Sequence, residues 1–154
     1  MAGVIEPTLH ANEVPRSSER APQDLSAYDL DLPALANFPW SGKEQLIEAC
    51  DLLDRAIARD PRYGPALAWS AVCHARLYYD GSAEDPEASH RKAVALAEQA
   101  LALTDGDPMV LANAAHVLGL SGEDIDSAIA LVDRCVALNP SCARGWFVIG
   151  ILRN

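Results

Sequence analysis

Residues Ser127–Gly150, SAIALVDRCVALNPSCARGWFVIG, decide how the rest of the chain is read. Ala128, Val132 and Cys135 stand at i, i+4 and i+7, along one face of a helix. Asn139-Pro140 follows, and proline has no N–H for the helix ladder and clashes with the preceding turn, so the helix stops there. Trp146, Ile149 and Gly150 then fall at i, i+3 and i+4 of a second helix. Small residues let two helix axes approach closely, and the indole fills the space beside them. The stretch therefore predicts a helix, a tight turn and a second helix packed back on the first.

The same spacing recurs upstream. Ala49-Leu53-Ala56 and Ala93-Ala97-Ala100 repeat the i, i+4, i+7 pattern of Ala128-Val132-Cys135. The step from Ala56 to Leu67 is the same as that from Ala100 to Leu111 and from Cys135 to Trp146. Ala71, Ala115 and Gly150 then share one small-residue position. These residues resemble the tetratricopeptide repeat (TPR), a helix-turn-helix unit with a period of about 34 residues. The interval from Ala100 to Cys135 is close to that period, and the interval from Ala56 to Ala100 is longer. The longer interval contains Asp80–Asp85, a suitable place for an insertion. Leu67 and Leu111 stand where the repeat favours Trp, Ser70 stands where it favours an apolar residue, and Pro108 comes late in register. A plain helical bundle is the competing architecture.

Around this pattern the punctuation is regular. Residues 1–25 read as an N-terminal helical and linker segment: Ile5, Leu9 and Val14 give a weak helical period before the polar run from Pro15. A repeat domain then spans 26–154. Tyr28, Leu32 and Leu35 suggest a short helix interrupted by Pro33, and Phe38 and Trp40 a connector that packs against the following helix. Ser41 and Glu44 form a capping-box signature for a helix to about Arg59. Gly64-Pro65, Asp85-Pro86, Asp107-Pro108, the Ser121–Asp124 run and Ser141 open the later helices. Six helices are expected from Ser41 onward, in antiparallel pairs.

Composition narrows the function classes. Half of the 154 residues are apolar and the net charge is −10, so the chain can bury a core and repels phosphate backbones; nucleic-acid binding by this segment is not expected. No apolar run approaches a membrane span, and residues 1–16 lack a basic start followed by an apolar core, so no membrane partner is expected and cytoplasm is the default location. Cys50, Cys73, Cys135 and Cys142 form no C-x-x-C pair and read as small apolar packing residues. His10, His74, His90 and His116 are scattered, with no acid or nucleophile placed beside them. The acids Glu123, Asp124 and Asp126 suit a helix N-terminus and lack the pattern of a calcium loop. No catalytic residue, cofactor or metal site is expected, and the chain does not read as an enzyme.

The TPR resemblance implies an all-α, right-handed solenoid that binds a protein or peptide along the concave face made by its first helices. By register that face carries Ala68, Trp69, Val72, Arg76, Asn113, His116, Arg144, Phe147 and Ile151. Only Arg76 and Arg144 are basic, so a multi-basic clamp for a peptide C-terminus is not expected. The chain stops just after a first helix, which predicts an incomplete array whose last helix self-associates. A narrower likeness is carried by IEPTL, APQDLSAYDL and RAIARDPRYGPALAWSAVCHARL. These runs are similar to the C-terminal TPR region of bacterial class III adenylate/guanylate cyclases and related winged-helix regulators. That likeness implies a regulatory tail acting on an attached effector domain; no counterpart of a cyclase catalytic domain is present, so no chemistry is carried over to any residue.

Overall fold

The computed structural model describes Leu35 and residues 38–104, 106–122 and 124–154. Among these are six helices and no strand: α1 (Lys43–Arg59), α2 (Gly64–Tyr79), α3 (Pro86–Leu103), α4 (Pro108–Ser121), α5 (Ile125–Leu138) and α6 (Ala143–Leu152). The expectations for residues 1–25, and for Tyr28 and Leu32, lie outside the described residues. Leu35 is helical and packs, partly buried, against the core.

The turns show the repeat most directly. Asp60, Thr104 and Asn139 each leave the helix with extended backbone, and each donates its N–H to the carbonyl of Ala56, Ala100 or Cys135, at 3.0, 2.9 and 2.9 Å. These are the three equivalent small positions read from the sequence. In two of the turns the side chain closes the loop in the same way: Asp60 Oδ1 accepts from the Arg62 N–H and Asn139 Oδ1 from the Ser141 N–H, both at 3.0 Å. Such Asx turns hold the chain bent while Pro61 and Pro140 supply the required φ. Asp85, Asp107 and Asp124 cap α3, α4 and α5 by accepting N–H bonds from the first turn.

The first cap differs from its expected form. Gly42 is the N-cap of α1 and offers no side chain, while the N–H and hydroxyl of Ser41 both donate to Gln45 Oε1, at 3.1 and 3.3 Å. The side-chain partner of Ser41 is therefore Gln45, which only accepts, and Glu44 is left at the helix N-terminus, where its charge suits the dipole.

Each helix packs on the next, and α2, α4 and α6 also pack on one another in a row. The first helices thus form one layer, with α3 and α5 joining successive members of it. This is the packing of a TPR-like solenoid. Ala56, Ala100, Cys135, Leu67, Leu111, Ala71 and Ala115 are all buried, and Ala56, Ala71 and Ala100 lie in one cluster reaching from α1 to α4. The four cysteines are buried and unbridged. Burial pushes the Cys73 thiol well up, which keeps it protonated.

Two details of the final unit depart from the sequence reading. Gly150 is exposed, and a Cβ there would meet nothing within 4 Å. The close approach is at Gly145, where a Cβ would come 2.8 Å from Cys135 Sγ and 2.9 Å from Val136 Cγ1. Trp146 is 55% exposed, unlike Leu67 and Leu111, and its Nε1–H donates to the Pro140 carbonyl at 2.8 Å.

Ser70, the departure from the repeat pattern, is buried and donates its hydroxyl to Asp54 Oδ1 at 3.2 Å. Lys92 Nζ binds Asp54 Oδ2 at 3.0 Å, and His74 Nε2 lies 3.8 Å from Oδ1, so Asp54 ties α1 to α2 and α3. Burial alone would raise this carboxyl, but His74 and Lys92 outweigh it and hold the pKa at about 2.

A close junction lies between the start of α2 and the end of α3. A Cβ on Gly64 would come 1.7 Å from Thr104 Oγ1 and 2.7 Å from Thr104 Cβ. Rotation of the threonine side chain moves Oγ1 but cannot move Cβ, so one helix end must shift. Gly64→Ala is expected to destabilise the chain by about 1–3 kcal/mol, although alanine is the better helix former. Urea unfolding checks this, and Thr104→Gly in the same chain should recover part of the loss; strictly additive losses would mean the two sites do not touch.

Candidate protein-interaction face

The row of first helices brings five of the expected residues together. Trp69 comes from α2, Asn113 and His116 from α4, and Arg144 and Phe147 from α6. The centre is the Arg144 guanidinium. Its Nε donates to Asn113 Oδ1 at 2.8 Å and its Nη2 to His116 Nδ1 at 2.7 Å. The imidazole must therefore be the tautomer that leaves Nδ1 unprotonated. Three rings surround the cation, with the guanidinium carbon 5.5 Å from the centroid of Phe38, 5.6 Å from Trp69 and 5.3 Å from Phe147. Ring faces carry partial negative charge and attract a cation at this range.

Of the remaining expected residues, Arg76 acts on this centre through its charge, and the others pack inward. Ala68 and Val72 are in the core, and Ile151 packs against the cluster of Ala115, Ala128, Val132, Val148 and Leu152. Leu152 therefore belongs to the core of the last unit. Arg76 donates through Nη1 to the Pro39 carbonyl and through Nη2 to Asp80 Oδ2, the latter at 3.3 Å. Trp69 is only 5% exposed, because Phe38 and Trp40 pack edge-on to it at centroid distances of 4.9 and 5.9 Å. The connector aromatics thus meet α2, and Trp40 also lies in the core cluster that holds Leu46, Ala49 and Cys50 of α1, the helix expected to receive them. The signal was in the sequence as two aromatics flanking Pro39; their contact with Trp69, a whole helix further along the chain, was not. Phe147 is 55% exposed and forms the open apolar part of the face.

Burial dominates the electrostatics of this centre. It pushes the Arg144 pKa down to about 10; Cys142 opposes the shift and the charge of Arg76 adds to it. Burial, followed by the charges of Arg144 and Arg76, pushes His116 down to about 4, so it is neutral at neutral pH and accepts the arginine's hydrogen bond. Among the described residues no carboxylate forms an ion pair with Arg144, and the buried Nδ2 of Asn113 has no acceptor. Among the same residues no three His, Cys, Asp or Glu side chains converge as a metal site would require, and no helix is long and apolar enough to cross a membrane.

No protein-family model matches the chain, and no curated protein matches it significantly. Among solved structures it is similar to one described as MamA MSR-1 C2, with a TM-score of 0.52 and 14% identity over 99% of this chain and 89% of that one. At this identity the likeness speaks to the fold alone, which for the described residues is a TPR-like helical solenoid. None of these comparisons supports the narrower likeness to cyclase or winged-helix regulators.

Proposed function

We propose that the chain is a protein-interaction module that takes a peptide or a partner helix on the concave face of its first helices. The observation that carries this reading is the pairing of an exposed Phe147 with the polar centre of Arg144, Asn113 and His116 on adjacent helices. An aromatic anchor beside fixed hydrogen-bonding groups supplies both contact area and orientation. The same face would serve a regulatory tail, with an attached effector domain as its partner; that role rests on the sequence likeness alone.

The test is selection of short peptides from a random displayed library on the full chain, followed by fluorescence anisotropy with synthetic copies. Phe147→Asp should weaken the selected peptides at least tenfold with little change in melting temperature. Leu138→Asp, an exposed apolar site on α5, should leave binding intact. Equal loss from both substitutions, or loss from Leu138→Asp alone, would move the binding surface off the first helices.

A further inference from the structure

The Arg144 centre has too many donors and too little negative charge for its own composition. A guanidinium carries five N–H groups. Among the described residues the protein gives acceptors to Nε and Nη2 alone, while Nη1 has no hydrogen-bond partner and is not fully enclosed. The acceptors used are neutral, an amide oxygen and an imidazole nitrogen. Asn113 adds a second unused donor, Nδ2, which is fully buried. Arg76, the other nearby cation, is turned to Pro39 and to Asp80. A partly desolvated cation held among rings without an anion is a costly arrangement for stability alone. An incoming anion would supply the missing charge and an acceptor for Nη1, while the buried Asn113 Nδ2 stays out of its reach.

Resting on the interaction-module reading, we propose that Arg144 receives one side-chain carboxylate of the partner peptide, with an apolar neighbour of that residue lying on Phe147. A carboxylate suits the planar fork of a guanidinium and can accept two N–H bonds at once. The single charge follows from the rest of the molecule. With a net charge of −10, the chain repels a run of acidic residues, and Arg144 offers one open cationic position. The partner segment is therefore one Asp or Glu set among apolar or basic residues.

The peptides selected on the full chain test this without altering the protein. They should be enriched in a single Asp or Glu one to four positions from a large apolar residue. Replacing that Glu by Gln in a synthetic peptide should weaken binding at least tenfold, and Arg144→Gln in the protein should abolish the difference between the two peptides. Selected peptides that show no acidic enrichment, or that bind equally well as the Gln form, overturn the carboxylate assignment and leave the interaction module standing. Enrichment confined to a parallel library with free C-termini overturns the side-chain assignment in favour of a terminal carboxylate. A library from which nothing is selected above background overturns both readings.

Discussion

Leu67→Ala should lower the unfolding free energy by about 2–5 kcal/mol, and Leu111→Ala by a similar amount, whereas Trp146→Ala should cost about 1 kcal/mol or less. All three occupy one register position, the same step after a buried small residue. If register alone set the energy, the largest side chain would be the most costly to remove. Coverage decides instead. Leu67 is held in the cluster spanning α1 to α4, and Leu111 packs with Ala112, Cys135 and Cys142, so truncation leaves a cavity in each case. Trp146 is 55% exposed and contributes one exposed hydrogen bond to Pro140. Its loss removes partial contact area and leaves no enclosed void. Urea unfolding of the three variants at constant m-value measures the order. A loss for Trp146→Ala as large as that for Leu67→Ala would mean that the indole is covered in solution.

What could be read from the sequence was local or periodic. Asp60-Pro61 and Asn139-Pro140 act within one turn, and the aspartates before Pro86 and Pro108 act on the first turn they precede, so their geometry is written in adjacent positions. The constant step from small residue to leucine located the buried leucines because helix packing repeats with the helix. Two failures were small displacements: Gln45 replaced Glu44 as the partner of Ser41, and Gly145 replaced Gly150 at the close approach. Both turn on sub-turn rotation of a helix, which periodicity does not resolve. The larger failure was at the face itself. Register put Trp69 on an open surface, yet Phe38 and Trp40 cover it from the far side of α1 in sequence. Periodicity identifies a helix face but not the distant segment that lands on it. Register did put Trp69, Asn113, His116, Arg144 and Phe147 on one face; what it could not give was the hydrogen bonding of Arg144 to Asn113 and His116, or the third ring, Phe38, which comes from the connector.

That centre should make stability fall steeply with acid, and His116 is the group responsible. Its pKa is about 4 in the folded chain against 6.5 when unperturbed. Above pH 6.5 neither folded nor unfolded chain protonates it, and its contribution is complete. Between 6.5 and 4 the unfolded chain binds a proton that the folded chain refuses, so stability declines as pH falls. Below about 4 both states are protonated and the decline from this group ends. A shift of this size corresponds to about 3 kcal/mol in all. The physical source is specific: protonation takes Nδ1 away as the acceptor of Arg144 Nη2 and sets an imidazolium against the guanidiniums of Arg144 and Arg76. Asp54 titrates lower, between 3.8 and about 2, so its loss falls in a separate window. Urea unfolding at intervals from pH 7.5 to 4.5 should show the decline in the native chain. His116→Gln keeps an acceptor for Arg144 and cannot charge, so its curve should be shallower by most of that amount. The remaining histidines are common to both chains and cancel in the difference. Parallel curves, or an NMR titration of His116 with a midpoint near 6.5, would show that the imidazole is neither buried nor held against Arg144.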